Sequence, residues 1–189
     1  MIRIGILGNI GSGKSYVANN LGFPVFDADY EVSKLYKKNK KIFLKLKKIL
    51  PKNIKSFPIE KKEITEAILQ KKGNLKKIIK IVHSEVRKKM NFFLKKHKNK
   101  KFVVLDVPLL LENKLNKKRD VLIFVDSKKA DILEKLKKRK NFNKKLFNKF
   151  KKIQFSSQYK IKKSHFVIKN DFTKKTINTN IKDILIKLK

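Results

Sequence analysis

The segment GNIGSGKS, running from Gly8 to Ser15, constrains the possible folds more than any other feature of this chain. It matches the pattern GxxxxGK[ST] at every fixed position and directly follows the apolar run IRIGIL at 2–7. In such a loop, glycines let backbone N–H groups surround a phosphate chain, Lys14 reaches the β/γ-phosphates and Ser15 ligates Mg²⁺. The alternative, a glycine-rich turn before a helix, requires neither the strand nor the Lys-Ser pair. The segment therefore predicts a nucleotide-phosphate site between a buried strand and a helix.

Four further apolar runs have the length of strands, and helical patterns separate them. These runs are 24–26, 102–106, 121–125 and 165–168. Strands that alternate with helices favour right-handed βαβ crossovers, so we predict an α/β fold of the P-loop class with a doubly wound five-stranded parallel sheet. Asp126 and Ser127 are expected to cap the helix after the fourth strand, and an amphipathic helix over 173–188 is expected to close the chain.

Residues 30–98 are rich in lysine and carry apolar residues at helical spacing, with no strand signal. Pro51 and Pro58 mark a loop within this segment. The pattern predicts a mostly helical insertion between the second and third strands. Its last long helix contains His83, and a lone histidine beside apolar residues is by itself more often structural than functional.

Carboxylates follow two of the predicted strands. Asp27 and Asp29 end the segment PVFDAD, and Asp106 ends FVVLD. Ligands of open α/β sheets bind at the carboxyl ends of the strands, and Asp106 has the Walker-B arrangement for water-mediated contact with Mg²⁺. For Asp29 two interpretations are equally supported by the residues alone: a functional carboxylate, or the N-cap of a helix that begins at Tyr30.

Residues 135–163 form a strongly basic segment with helical spacing and few residues to bury. One interpretation is a mobile lid, which would close over nucleotide phosphates and exclude water. The other is a pair of solvated basic helices, which a chain this rich in lysine makes equally reasonable.

The composition limits the classes of partner. The formal net charge is +37, but the lysines are spread along the whole chain, and Asn and Ile are also abundant, as expected from an AT-rich genome. We therefore predict no specific nucleic-acid partner, although basic surfaces often bind nucleic acid. The absence of cysteine and three scattered histidines leave Mg²⁺ as the only metal implied. No apolar stretch reaches the ~20 residues of a membrane helix, and Met1 leads directly into a strand, so we expect a cytoplasmic location.

Five segments follow one another in the order of a known family: GILGNIGSGKS, FDAD, IVHSEV, DVPLLLE, and a Gln before the basic stretch that leads to FVIKN. Together they resemble dephospho-CoA kinase over essentially the whole chain, and FDAD with PLLLE is more specific than the P-loop. The resemblance implies ATP-dependent phosphorylation of the 3′-hydroxyl of the dephospho-CoA ribose, the last step of coenzyme A synthesis. It also implies one domain over 1–189, with a core (1–29, 99–138 and 164–189), a helical substrate-binding insertion (30–98) and a lid (139–163).

The resemblance also implies roles for individual residues. Lys14, Asp29 and Arg139 are implied as catalytic, with Asp29 as the base at the ribose hydroxyl and Arg139 as a lid arginine near the phosphates. The ATP-binding residues implied are Gly11, Ser12, Gly13, Lys14, Ser15 and Tyr16. The substrate-binding residues implied are Asp29, His83, Pro108, Leu109 and Glu112. Ser15 and Asp106 are implied as the metal site, ATP and Mg²⁺ as the cofactors and dephospho-CoA as the small-molecule substrate.

Several residues depart from the family pattern. The departures are Tyr16 for Thr, Ser84 for the Pro of a His-Pro motif, Lys61 and Lys135 for arginines, Lys140 for the Asp of a lid Arg-Asp pair, and His165 for an acid. A lysine keeps the charge of an arginine but loses its bidentate fork, so we expect looser phosphate orientation before lost activity.

Two alternatives of different kinds remain at this point. Another small P-loop kinase, acting on a nucleoside monophosphate or a metabolite, is the nearer one, but monophosphate kinases usually need arginines for the acceptor phosphate and the chain has only four. The other is a nucleic-acid binder that retains a P-loop, which leaves FDAD and PLLLE unexplained.

Overall fold

The computed structural model describes residues 1–140 and 142–188. In chain order its strands are β1 (Ile2–Gly8), β2 (Val25–Asp27), β3 (Phe102–Asp106), β4 (Val121–Asp126) and β5 (Phe166–Lys169). All neighbouring strands pair in parallel, in the order β2-β3-β1-β4-β5. From β1 the chain passes to the edge strand β2, returns to β3 between them, and then adds β4 and β5 on the other side of β1. This order confirms the predicted doubly wound parallel sheet.

Helices connect the strands and form most of the remaining chain. They are α1 (Lys14–Asn20), α2 (Ala28–Lys38), α3 (Lys40–Ile49), α4 (Lys61–Gln70), α5 (Asn74–Lys96), α6 (Lys129–Lys137), α7 (Lys144–Ile153), α8 (Ser157–Lys163) and α9 (Lys174–Lys187). No helix in the described part of the chain is both long enough and apolar enough to cross a membrane.

The central strand β1 lies between β3 and β4 and is buried beyond its first residue. Arg3 interrupts its apolar sequence, yet the side chain is buried in the structure. Its Nε donates a hydrogen bond to Asp120 Oδ1 at 2.7 Å, and the two side chains form an ion pair. The buried charge is therefore paired, as a buried guanidinium must be to avoid a large desolvation cost.

One hydrophobic cluster joins two helices to the sheet. Val17 and Ala18 of α1 and Ile177, Ile181 and Ile184 of α9 are buried in the same cluster as the residues of β1. The spacing of the three isoleucines places them on one face of α9. The amphipathic closing helix predicted from the sequence is confirmed, and this packing fixes the start of α1, where the P-loop ends.

The predicted helix cap at Asp126 and Ser127 is wrong. Asp126 is the last residue of β4, and the N-cap of α6 is Lys128, which makes no side-chain capping hydrogen bond. The hydroxyl of Ser127 instead donates to the carbonyl oxygen of Ser12 at 3.1 Å. Ser127, which was expected to cap the following helix, thus forms a hydrogen bond with the P-loop instead.

The chain divides into two compact units, Met1–Asp27 with His97–Lys189, and Ala28–Lys96. The first contains the whole sheet. The second consists of α2 to α5 without a strand, which agrees with the helical pattern of residues 30–98, and α5 packs against each of the other three helices. Pro51 and Pro58 lie in the connection between α3 and α4, as predicted.

Candidate active site

The P-loop takes a backbone conformation that favours glycine at two of its positions. Gly11 has φ 84° and Gly13 has φ 87°, in the left-handed region that residues other than glycine rarely adopt. A Cβ at Gly13 would lie 2.4 Å from Nδ2 of Asn170. The glycines required by the motif are therefore needed by the fold of the loop, and the protein atoms around it leave no room for substitution at Gly13.

Lys14 is the first residue of α1 and folds back on the loop. Its Nζ donates to the carbonyl oxygen of Asn9 at 2.7 Å. The side chain of Asn9 is held in turn by Ser157 of α8, with Nδ2 donating to Oγ at 3.0 Å. The lysine is thus already inside the loop that is expected to bind phosphate, where an ammonium group is a point charge for anionic oxygens.

Two carboxylates end neighbouring strands beside the P-loop. Asp27 and Asp106 are partners in the register of β2 and β3, and Asp106 is buried and hydrogen bonded to Ser15. Burial is the largest influence and raises the pKa of Asp106, while the hydrogen bond with Ser15 and the charge of Lys14 oppose this rise and the charge of Asp27 adds to it. The structure therefore brings together Ser15 and Asp106, which the sequence pointed to as the metal site, and adds Asp27 nearby.

This group of oxygens suits Mg²⁺ better than other metals. Magnesium prefers oxygen ligands, and it commonly keeps several waters and binds through one or two carboxylates plus substrate phosphates. Among the described residues no group of three or more His, Cys, Asp and Glu side chains could hold a metal ion by itself. A hydroxyl from Ser15 and a carboxylate from Asp106 fit an ion that takes its other ligands from nucleotide and water.

We expect Asp106→Asn to make the protein more stable at neutral pH. Because the pKa of Asp106 is raised in the folded state, ionisation costs folding free energy, and this cost grows as pH rises from the unfolded value of about 4 through the folded pKa. An amide removes the cost, and each kcal/mol relieved raises Tm by roughly 2–4 °C. In thermal unfolding without Mg²⁺, the Tm of Asp106→Asn should exceed that of wild type at pH 7.5. The difference between the two Tm values should be smaller at pH 4.5. A variant that melts earlier at pH 7.5 would contradict this.

The PLLLE segment is tied to the start of α8. Glu112 and Lys160 form an ion pair at 3.0 Å in which both side chains are almost fully buried, and the backbone N–H of Phe155 donates to Glu112 Oε1 at 2.9 Å. Gln154 Nε2 also donates to the carbonyl oxygen of Pro108, at 3.4 Å. Glu112, implied as a substrate ligand, thus holds part of the protein in place. Its contact with substrate remains a prediction.

Breaking this ion pair from one side should be costly. In Lys160→Met the carboxylate of Glu112 stays buried without its cation, which typically costs about 3–5 kcal/mol of the free energy of unfolding. The double variant Lys160→Met with Glu112→Leu should recover most of that loss, because no buried charge remains. Denaturant unfolding of both variants measures this, with the exposed Lys163→Met as the matched control. Simply additive losses in the double variant would contradict the prediction.

The basic segment contains two helices with different anchorage. α7 has no buried residue, whereas α8 buries Lys160. Arg139, the implied lid arginine, is exposed just after α6. The lack of a buried residue in α7 agrees with both interpretations made from the sequence, a lid and a solvated helix, so closure of this segment remains a prediction.

In the helical unit, Asp29 is the second residue of α2. The N-cap interpretation is therefore wrong, because the helix already begins at Ala28 and a capping residue precedes the first helical residue. His83 lies within α5 and is partly buried, and its pKa is lowered first by burial and then by the charge of Arg87. The imidazole is neutral at pH 7 and can both donate and accept a hydrogen bond.

A family model of dephospho-CoA kinase matches residues 2–176. The chain belongs to the dephospho-CoA kinase family. Its relatives include the dephospho-CoA kinase of Wolbachia pipientis wMel, 35% identical, with 96% of this chain and 95% of the relative covered. The dephospho-CoA kinase of Fusobacterium nucleatum is 34% identical, with 98% and 94% covered. The resemblance that the motifs indicated is confirmed, and the protein is a kinase.

Solved structures agree on the fold. A protein from Thermus thermophilus superposes with a TM-score of 0.75 at 23% identity and covers 100% of this chain, with 98% of that structure matched. Dephospho-CoA kinase from Campylobacter jejuni gives a TM-score of 0.64 at 21% identity, with 98% and 96% covered. A shikimate kinase from Bacteroides thetaiotaomicron gives 0.55 at 11% identity, with 99% and 98% covered. The P-loop kinase fold is thus shared beyond the dephospho-CoA kinase family.

Two departures from the dephospho-CoA kinase pattern have structural explanations. His165 Nδ1 accepts a hydrogen bond from the N–H of Leu122 at 3.0 Å, and the N–H of His165 donates to the Leu122 carbonyl at 2.8 Å. The histidine thus joins the entry of β5 to β4. Lys135 Nζ lies 5.5 Å from the ring centroid of Phe172, a cation–π contact that a lysine can make as well as an arginine.

Sequence reasoning missed the role of three polar residues in and beside the P-loop. Asn9 lies inside the motif at a position that the pattern leaves free, Ser127 follows β4 and Asn170 follows β5. Asn170 is buried and donates to the Ser12 carbonyl at 2.8 Å. The available signal was their position, because polar residues directly after parallel strands lie at the edge of the sheet where ligands bind.

Proposed function

We propose that this protein transfers the γ-phosphoryl group of ATP to the 3′-hydroxyl of the dephospho-CoA ribose and releases coenzyme A and ADP. The observation that carries the proposal is the family match over residues 2–176. It is supported by the hydrogen bond between Ser15 and Asp106 beside the P-loop lysine, because this arrangement suits a magnesium-bound nucleotide.

At the nucleotide end, the backbone of Gly11 to Tyr16 is proposed to bind the phosphates. Lys14 would contribute its positive charge to the β/γ-phosphates, where negative charge is redistributed as the bond to the leaving group breaks. Ser15 and Asp106 would hold Mg²⁺, which supplies further positive charge at the phosphate oxygens when it is bound. Arg139, exposed in this structure, would approach the phosphates only if the basic segment closes.

At the acceptor end, Asp29 is proposed as the general base. The carboxylate would orient the ribose hydroxyl and accept its proton while the oxygen forms its bond to phosphorus and the bond to the ADP oxygen breaks. His83 in the helical unit, and Pro108, Leu109 and Glu112 after β3, are each proposed as a contact for dephospho-CoA. The neutral state of His83 suits hydrogen bonding to the substrate, since it adds no charge that must be desolvated.

The proposal is tested by a coupled ADP-release assay with dephospho-CoA against a panel of nucleoside monophosphates and shikimate. Of these acceptors, we expect only dephospho-CoA to be phosphorylated. The same assay with EDTA added measures how far this turnover depends on Mg²⁺. Faster turnover of a monophosphate would favour the other small P-loop kinases. The absence of a specific nucleic-acid partner stays a prediction, which the same preparation tests through binding of RNA and DNA at physiological salt.

A further inference from the structure

One carbonyl oxygen of the P-loop receives hydrogen bonds from two distant side chains. Nδ2 of Asn170 donates to the Ser12 carbonyl oxygen at 2.8 Å, and Oγ of Ser127 donates to the same oxygen at 3.1 Å. Ser12 and Asn170 are buried, and Ser127 is 9% exposed. Neither donor belongs to the P-loop motif. Two strand ends, those of β4 and β5, therefore hold a single peptide group of the loop.

The orientation of the Asn170 amide is fixed by its other contacts. Its backbone N–H donates to the Asp126 carbonyl at 2.7 Å, and its Oδ1 accepts from the N–H of Phe172 at 2.7 Å. With Oδ1 used as an acceptor, Nδ2 faces Ser12 and can only donate. The close approach depends on Gly13, where a Cβ would lie 2.4 Å from Nδ2.

The direction of the Ser12 carbonyl decides the direction of the next N–H. In a trans peptide the C=O and N–H bonds point to opposite sides of the chain. Holding the Ser12 carbonyl toward Asn170 and Ser127 therefore turns the N–H of Gly13 the other way, out of the protein interior. The Ser12 hydroxyl has no hydrogen-bond partner among the described residues, so this side chain does not hold the peptide itself.

We propose that Asn170 and Ser127 are positioning residues for the nucleotide: they hold the Ser12–Gly13 peptide so that the N–H of Gly13 donates to a phosphate oxygen. This inference rests on the proposed function, since it requires that the loop binds ATP. Without the two donors the peptide can rotate and turn its carbonyl oxygen toward the phosphates, where it repels them. An N–H that faces the phosphate attracts it, whereas a carbonyl oxygen in the same place repels it. The orientation of this peptide group is therefore expected to change the affinity for ATP.

Affinity measurements separate this role from a general structural one. Asn170→Asp keeps the oxygen that accepts from Phe172 but loses the donor, and Ser127→Ala removes only a hydroxyl. We expect the Kd for ATP to rise about 10-fold and about 3-fold respectively, and the Kd for dephospho-CoA to stay within about twofold. Asn180→Asp is the control, since it makes the same charge change at an amide that donates to the Thr176 carbonyl.

An NMR measurement observes the peptide directly. The chain contains a single Ser–Gly bond, Ser12–Gly13, so labelling with ¹³C-carbonyl serine and ¹⁵N-glycine selects the Gly13 amide without further assignment. Addition of ATP should shift this resonance strongly in the wild type and in Asn180→Asp, and at most half as far in Asn170→Asp at saturating ATP.

The two measurements also distinguish the two proposals. No ATP binding by the wild type would overturn the proposed function and this inference with it. ATP binding by the wild type, together with an unchanged Kd and an unchanged Gly13 shift in Asn170→Asp and Ser127→Ala, would overturn the inference alone. Weaker ATP binding with normal dephospho-CoA binding and a reduced Gly13 shift would support it.

Discussion

Lys14→Ala is expected to lower kcat by about 10²-fold or more while the fold is retained. The ammonium group is a charge directed at the β/γ-phosphates, and loss of one such group from a phosphoryl-transfer site commonly costs this much or more. In this structure Nζ makes its hydrogen bond to the carbonyl of Asn9, within the loop itself. Truncation therefore removes the charge that is expected to act on the phosphates and leaves the backbone of the loop unchanged.

Steady-state kinetics with saturating ATP and dephospho-CoA measure this effect, and thermal unfolding measures retention of the fold. Lys182→Ala in α9 is the control, because it removes an exposed lysine from the same unit and should leave kcat unchanged. Lys14→Arg adds a second comparison, since it keeps the charge but changes the shape of the donor group. Turnover of Lys14→Ala within about threefold of wild type would contradict the P-loop assignment.

The sheet could be predicted from the sequence because its strands are continuous apolar runs. A parallel strand covered on both faces needs such a run, so Phe102–Asp106 was found with its bounds correct. The P-loop followed from a local motif, in which the neighbours along the chain are also the neighbours in space. These are the cases in which local sequence and tertiary structure require the same residues.

The contacts around the P-loop could not be predicted in the same way. An Asp-Ser pair before a helix is the usual sign of a cap, but the hydroxyl of Ser127 is used by the Ser12 carbonyl, far away in the sequence. Asn170 and the Glu112–Lys160 ion pair are long-range contacts of the same kind. Which of many polar residues meet depends on the order of the strands, and no spacing along the chain encodes that.

For Asp29, the structure removes one of the two interpretations that the sequence allowed, so its role can be tested more directly. The sequence left two interpretations, a base or an N-cap, and the first helical residue of α2 is Ala28, which removes the cap. A structural alternative to catalysis is a carboxylate in the first turn of a helix, whose charge interacts favourably with the helix dipole by about 0.3–1 kcal/mol. This structural role predicts a small loss of stability on replacement and no loss of rate.

We expect Asp29→Asn to lower kcat by roughly 10²- to 10⁴-fold, the usual worth of general base catalysis, with ATP affinity and Tm little changed. Asparagine has nearly the same shape but no basic oxygen, so it cannot accept the proton of the ribose hydroxyl. Glu31→Gln is the control, because Glu31 is the other acidic residue in the first turn of α2 and loses a dipole interaction of the same kind, together with its ion pair to Lys34. Steady-state kinetics and thermal unfolding of both variants compare the roles. Equal activity of the two variants would contradict the assignment of Asp29 as the base. A large kcat loss confined to Asp29→Asn at equal Tm would support a carboxylate needed for the chemical step.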